Sequence, residues 1–316
     1  MENSLRYLNP EVLGGISRLE LRARLAVEGF LSGRHPSPYH GVSVEFAEHR
    51  EYVPGDDLRH LDWKVLGKSD RHFIKRYEEE TSLTCTVVVD ASASMLYQGE
   101  GRISKFDYAA TTAASLGYLI LKQQDFVGLG VFDQALHTFV PPSNNPAHLM
   151  TLVDALGNLT PAEKTGLGPV LADVSSRINQ RGMVVLISDL LDEPEEILGG
   201  LRRLRTKKQD IIVFHILDDD ETDFPFEKMY RFEGMEDLLK LTADPRSLRQ
   251  AYLDVFEEHA KALRRGCRSQ GVDYTLIPTS RNLGVALTAF LATRSGSGRG
   301  RGAGTAGPRS AQGRRR

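Results

Sequence analysis

The chain has 316 residues, of which 41 % are hydrophobic, 26 % charged and 8 % aromatic. That composition excludes a wholly disordered, collagenous or disulfide-stapled chain and provides for a sizeable core. The net charge of −2 conceals an asymmetry: residues 294–316 carry seven arginines and no acid, leaving 33 basic against 42 acidic residues, or −9, elsewhere.

Residues 10–32 are predicted to form an amphipathic helix, with Leu13, Ile16, Leu19, Leu21, Leu25 and Phe30 near one stripe. Gly33, Pro36 and Pro38 end it. Residues 41–80 read as short alternating pieces around a Pro54-Gly55-Asp56 turn, an irregular segment containing strands. From residue 83 the pattern becomes regular. Cys85–Val89 is a buried-type strand, 104–124 a helix, and Phe126–Phe132 with Leu136–Val140 a hairpin turning at Asp133-Gln134. Helices are expected over 146–158, 168–181, 194–206, 245–270 and 283–293, and strands over Met183–Ser188, Ile211–Leu217 and Val272–Pro278. Asp244 and Pro245 open the long helix as N-cap and first helical residue.

Apolar strands alternating with helices predict a doubly wound α/β domain with a mainly parallel sheet covered on both faces. The expected organisation is an N-terminal helix and strand-containing segment over 1–80 packed on the main domain, that α/β domain over 81–293, and a disordered Arg/Gly-rich tail over 294–316. No run approaches the roughly 18–20 apolar residues of a membrane span. The N-terminus shows no basic region leading into an apolar stretch, so the chain reads as cytoplasmic. Cys85 and Cys267 read as reduced thiols.

Ligands of an open α/β sheet bind beyond the carboxyl ends of its strands. After Val87-Val88-Val89 comes Asp90-Ala91-Ser92-Ala93-Ser94, and after Val184–Ile187 comes Ser188-Asp189. Thr165-Gly166-Leu167-Gly168 stands between them, before a helix. Asp90, Asp189, Ser92, Ser94 and Thr165 thus bring two carboxylates and three hydroxyls to one end of one sheet. A set of hard oxygens suits Mg²⁺ or Mn²⁺ and suits zinc poorly. With so few carboxylates the ion is under-neutralised, and a carboxylate from another molecule would fill an open position.

Asp90-x-Ser92-x-Ser94 with Thr165 and Asp189 resembles the metal-ion-dependent adhesion site of von Willebrand factor A domains. Upstream, Gly41-x-x-x-Glu45-Phe46, Arg50-x-Tyr52-x-Pro54-Gly55-Asp56-Asp57, Arg59-x-x-Asp62-Trp63 and Tyr77-Glu-Glu-Glu80 resemble the hallmark stretch of the bacterial domain-of-unknown-function 58 family. The resemblance covers about residues 30–290. It implies an A-like domain encoded beside a MoxR-type AAA+ ATPase and acting in protein assembly or maturation, not catalysis. The partners implied are that ATPase and an acidic protein ligand at the metal. The chain departs from the family in two ways: many members carry N-terminal membrane helices, and in relatives the threonine is often followed by Asp where Gly166 stands here.

Other motifs carry less. Asp56, Asp57, Arg59, Asp62 and Trp63 read as a salt-bridged turn with a packed indole, or as a docking surface beside the metal. Gly67-Lys68-Ser69 lacks the earlier glycine of a phosphate loop, since Asp62 occupies its position. Gly128-Leu-Gly130 reads as a backbone packing feature, and Asp218–Asp223 as a solvated acidic loop that could line the rim of the site. A metal-dependent phosphoester hydrolase is the alternative from another class. It lacks a second acid two positions after Asp90, where Ser92 stands, and Lys105 is its nearest basic candidate. The arginine tail would bind nucleic acid only through nonspecific charge, having no aromatic residue to stack on bases.

Overall fold

The computed structural model describes residues 18–33, 48–51, 73–76, 82–157, 161, 164–226, 230–233, 240–243 and 245–299. The predicted cluster Asp56, Asp57, Arg59, Asp62 and Trp63, and the tail after Arg299, lie outside the described residues. The chain divides into two compact units, Arg34–Leu83 and the remainder. In the smaller unit β1 (Glu48–Glu51) and β2 (Phe73–Arg76) pair antiparallel, Glu48 opposite Arg76.

The larger unit is built on a six-stranded sheet of order β8-β7-β6-β3-β4-β5. Its strands are β3 (Thr84–Asp90), β4 (Phe126–Phe132), β5 (Leu136–Ser143), β6 (Met183–Ser188), β7 (Asp210–Leu217) and β8 (Asp273–Pro278). All pairings are parallel except β4 with the edge strand β5. This is the predicted doubly wound α/β architecture. The central strands are buried on both faces, which is why β3 and β6 read as unbroken apolar runs without alternation. The edge strand β5 includes Pro141 and Pro142, tolerable where one side of the strand needs no ladder bonds. A Cβ at Gly128 would stand 2.9 Å from the Val140 carbonyl oxygen, at the point where the β4–β5 register shifts. The glycine therefore serves a close backbone approach, as expected from its place inside a strand.

Helices cover both faces. On one side α1 (Leu19–Gly33) packs on α2 (Lys105–Lys122), which lies against β3 and β4, with α3 (His148–Gly157) beside them. Covered by α1 on its outer side, α2 is buried over most of its length, and its Ala109–Ser115 run of small residues permits the close approach. The N-terminal helix thus belongs to the sheet's own unit and not to the segment that follows it. On the other side α4 (Leu167–Arg177), α5 (Pro194–Thr206) and α7 (Pro245–Ser269) bury Val170, Leu171, Ile197, Leu201 and Leu263 against Val88, Val184, Leu186 and Val213.

The helix expected over 168–181 ends at Arg177, and the Lys207 ammonium bonds the Ser175 and Ile178 carbonyls at its end. The closing helix expected over 283–293 continues, as α8 (Gly284–Arg299), into the segment read as tail. Among the described residues no helix is long and apolar enough to cross a membrane. Both cysteines are buried and neither forms a disulfide, and burial pushes the Cys267 thiol up to about 11. The native protein is therefore expected to leave Ellman's reagent unreacted and to release both thiols only on unfolding; a fast-reacting native thiol would contradict this packing.

Candidate functional site at the ends of the central strands

The chain runs from β3 to β4 and β5 on one side of the sheet, then returns to β6 and β7 on the other side of β3. The crevice beyond the carboxyl ends of β3 and β6 is therefore a topological switch point, where α/β sheets bind ligands. Asp90 is the last residue of β3, and its carboxylate is fully buried. Its Oδ1 accepts a hydrogen bond from the Ser92 amide at 2.9 Å, and its Oδ2 accepts one from Ser188 Oγ at 2.5 Å. Ser188 Oγ in turn accepts the Leu190 amide at 2.9 Å. Leu190 holds a left-handed φ of 53°, a conformation that a leucine rarely adopts and that here turns the chain sharply after β6.

Ser92 is the N-cap of a single 3₁₀ turn, Ala93–Leu96, and Ser94 lies within that turn. Their hydroxyl oxygens lie 3.1 Å apart, and both residues are buried. Two ligands of one octahedral Mg²⁺, each about 2.0–2.1 Å from the ion, stand roughly 2.9 Å apart. The serine pair is already at that separation. Burial, and then the neighbouring charge of Asp189, hold the Asp90 carboxyl well above the usual carboxylate range. Among the described residues no cationic side chain forms an ion pair with Asp90. A desolvated carboxylate beside two converging hydroxyls fits a small hard cation. Among the described residues no group of three or more His, Cys, Asp or Glu side chains is placed to hold a metal, so the chemistry here is that of hydroxyls and one carboxylate.

Asp189 directly follows β6 and is fully buried, but its Oδ2 accepts an ion-paired hydrogen bond from Lys105 Nζ at 2.8 Å. Thr165 is half-buried in the approach to α4. There the Gly166 amide donates to the Asp133 carbonyl at 3.1 Å, and a Cβ at Gly166 would lie 2.8 Å from the Gln134 carbonyl oxygen. That anchor sets Thr165 beyond the end of β4, at the same end of the sheet as Asp90. The structure thus gathers Asp90, Ser92 and Ser94 into one bonded cluster, engages Asp189 with Lys105, and places Thr165 on the β4 side.

The acidic run is the main departure from the sequence reading. It is not a solvated loop. Asp219–Asp223 form a short helix, α6, with Asp218 as its N-cap and a reciprocal capping box to Glu221. Asp218 is fully buried and takes two bonds from the Arg102 guanidinium, Nε at 3.1 Å and an Nη at 2.7 Å. It also accepts the Gly99 amide and the Thr279 hydroxyl, each at 3.1 Å. Burial works against its charge, but Arg102 and these donors outweigh it and hold the carboxyl below its usual range. Glu221 Oε1 reaches Lys105 Nζ at 2.6 Å. Burial alone would lower the Lys105 ammonium; Asp189 and Glu221 together hold it above the ordinary lysine range.

Sequence reasoning did not assign Ser188, Arg102 or Glu221 to the site, and weighed Lys105 only as a hydrolase residue. One signal was available. Lys105 occupies the first turn of a helix, where the backbone dipole disfavours a cation, and such a lysine needs nearby carboxylates.

The chain is similar to uncharacterised proteins of Mycobacterium bovis and Mycobacterium tuberculosis, each 27 % identical over 291 residues and covering 90 % of both chains. Among solved structures it is similar to BatB from Bacteroides thetaiotaomicron, at 15 % identity over 69 % of this chain and 100 % of that one, with a TM-score of 0.48. It is also similar to an aerotolerance-related membrane protein from Bacteroides fragilis (16 % identity, 68 % and 100 % coverage, TM-score 0.47) and to the SpRpn10 VWA domain (13 %, 66 % and 94 %, TM-score 0.37). The model of the protein family of unknown function DUF58 matches residues 48–262. That span is more than half of the chain and contains β3, β6, the paired serines and the α6 clamp, so the chain belongs to the DUF58 family.

Proposed function

We propose that this protein is a non-enzymatic, Mg²⁺-dependent protein-binding module of the von Willebrand factor A type. Its partners in this reading are an acidic protein ligand and a MoxR-type AAA+ ATPase, in cytoplasmic protein assembly or maturation. The observation that carries the proposal is the pair of serine hydroxyls 3.1 Å apart beside the fully buried Asp90 carboxylate, with which no described cationic side chain pairs. Mg²⁺ or Mn²⁺ bound there would supply an open coordination position for a partner's carboxylate.

The chain's own residues set up that position. Asp90 contributes the charge, and Ser92 and Ser94 contribute neutral oxygens. Ser188 and the Ser92 amide fix the rotamer of Asp90. Thr165 and Asp189 complete the shell directly or through water. Leu96 and Leu191, 42 % and 44 % exposed, follow Ser94 and Asp189 by two residues each and give the mouth apolar surface for a protein contact. The ATPase comes into the proposal through the family resemblance alone.

Calorimetric titration of Mg²⁺ and Mn²⁺ into the metal-stripped full chain tests the site. The wild type is expected to bind saturably and Asp90→Ala to bind nothing while keeping its circular dichroism spectrum. Equal binding by both proteins would remove the site from Asp90. Phosphatase turnover that needs Mg²⁺ and disappears in Asp90→Asn would replace the binding reading with a hydrolase. Retention of the ATPase on the immobilised chain is expected to need Mg²⁺, and retention in excess chelator would detach the ATPase from the metal.

A further inference from the structure

The two carboxylates at the switch point are in different states. Asp90 has hydroxyl and amide donors and, among the described residues, no cationic partner, whereas Asp189 has an ammonium 2.8 Å away. Lys105 holds that place against two penalties. It sits in the first turn of α2, facing the positive end of the helix dipole, and its side chain is fully buried. Only carboxylates fixed on other elements offset both. Asp189 comes from the end of β6 and Glu221 from α6, so the ammonium ties three separate elements together. With Oδ2 engaged by Lys105, the other oxygen of Asp189 accepts a 3.4 Å bond from the Leu191 amide.

We infer that Lys105 is a positioning residue that acts as the built-in counter-cation of Asp189, leaving Asp90, among the described residues, as the only carboxylate that balances an ion's charge directly. This inference rests on the metal-binding reading above. Asp189 then acts on the ion through water, and the site keeps one anionic ligand of its own. Affinity for divalent cations rises with the number of charged ligands, so a site with one such ligand is weak until a partner's carboxylate joins it. Lys105 makes tight metal occupancy conditional on the partner.

The test is Mg²⁺ calorimetry on the full chain, comparing wild type, Asp90→Asn, Asp189→Asn, Lys105→Met and the double variant Lys105→Met/Asp189→Asn. Asp90→Asn is expected to weaken binding by more than about thirtyfold, and Asp189→Asn by about threefold or less. Lys105→Met is expected to tighten binding by about tenfold, because Asp189 becomes a second charged ligand. The double variant should lose that gain. An Asp189→Asn loss as large as that of Asp90→Asn overturns the inference, as does a gain that survives in the double variant, which would mean that Lys105 acts only through its charge. Absence of binding in both wild type and Lys105→Met overturns the metal reading itself and the inference with it. If Lys105→Met fails to fold, Asp90→Asn against Asp189→Asn decides, since in both of these Lys105 keeps Glu221 as partner.

Discussion

Asp90→Asn is expected to raise the melting temperature of the metal-stripped protein at pH 8, and to raise it less at pH 5. The carboxylate is fully buried and, among the described residues, has no cation paired with it. Its carboxyl is held well above the ordinary value, first by burial and then by Asp189. The sign follows from proton linkage. A carboxyl whose folded value lies above its unfolded value of 3.8 binds its proton more tightly when folded. The folded state therefore loses stability as pH rises from the ordinary value toward neutrality, at about 1.4 kcal/mol per unit. Asparagine keeps the acceptor for the Ser92 amide and never carries the charge. The gain at pH 8 is on the order of 3 kcal/mol, which in a domain of this size corresponds to roughly 6–12 °C. Saturating Mg²⁺ should close the gap from the other direction by stabilising only the wild type. Scanning calorimetry at the two pH values, with chelator and with Mg²⁺, checks this. A wild type that outlasts Asp90→Asn in chelator at pH 8 would mean that the buried carboxylate is satisfied without a cation.

That outcome bears on why a site can be read from a sequence at all. Asp90, Ser92 and Ser94 were legible because three residues at alternating positions after a buried strand necessarily share one end of the sheet. The strands themselves were legible because burial on both faces leaves unbroken apolar runs such as Val184–Ile187. What stayed hidden depends on pairs far apart in the chain. Lys105 and Asp189 are 84 residues apart, Arg102 and Asp218 are 116 apart, and no local pattern matches one to the other. The acidic run shows the limit well. Asp218-x-x-Glu221 is a capping-box spacing and was open to reading as a helix start. Composition argued for a solvated loop, and only the guanidinium of Arg102 makes a buried Asp218 affordable. Lys105 is the converse case, a residue whose local position is unfavourable and whose reason lies on two other elements.

Arg102→Met is expected to be the most damaging single change at the rim. The guanidinium makes three bonds of 3.1 Å or less, two to Asp218 and one of 2.6 Å to Asp220. Asp218 is fully buried, whereas Arg102 keeps 21 % of its side-chain surface. Removing one partner of a buried pair strands the other charge, typically at 3–5 kcal/mol. Since the guanidinium is partly solvated, the lower end applies, about 3 kcal/mol or roughly 6–12 °C. Arg102→Lys should recover little, because one ammonium cannot span both Asp218 oxygens and Asp220. The damage should reach the site. Gly99 and Tyr97, which follow Ser94, are held by Asp218 and Asp220, so a loosened α6 frees the turn that carries the serines, and Mg²⁺ binding should weaken as well. The pH dependence provides the sharper readout. Asp218 is held below its usual range, so its contribution is present above the unfolded value of 3.8 and lost as pH falls through the folded one. The wild type should therefore lose more stability than Arg102→Met between neutral pH and about pH 3, and the two melting curves should converge in acid. Asp218→Asn in the Arg102→Met background should restore much of the neutral-pH stability, because the stranded charge is gone. Parallel pH profiles for wild type and Arg102→Met, or a double variant no more stable than the single one, would show that the clamp acts through packing and not through the buried charge.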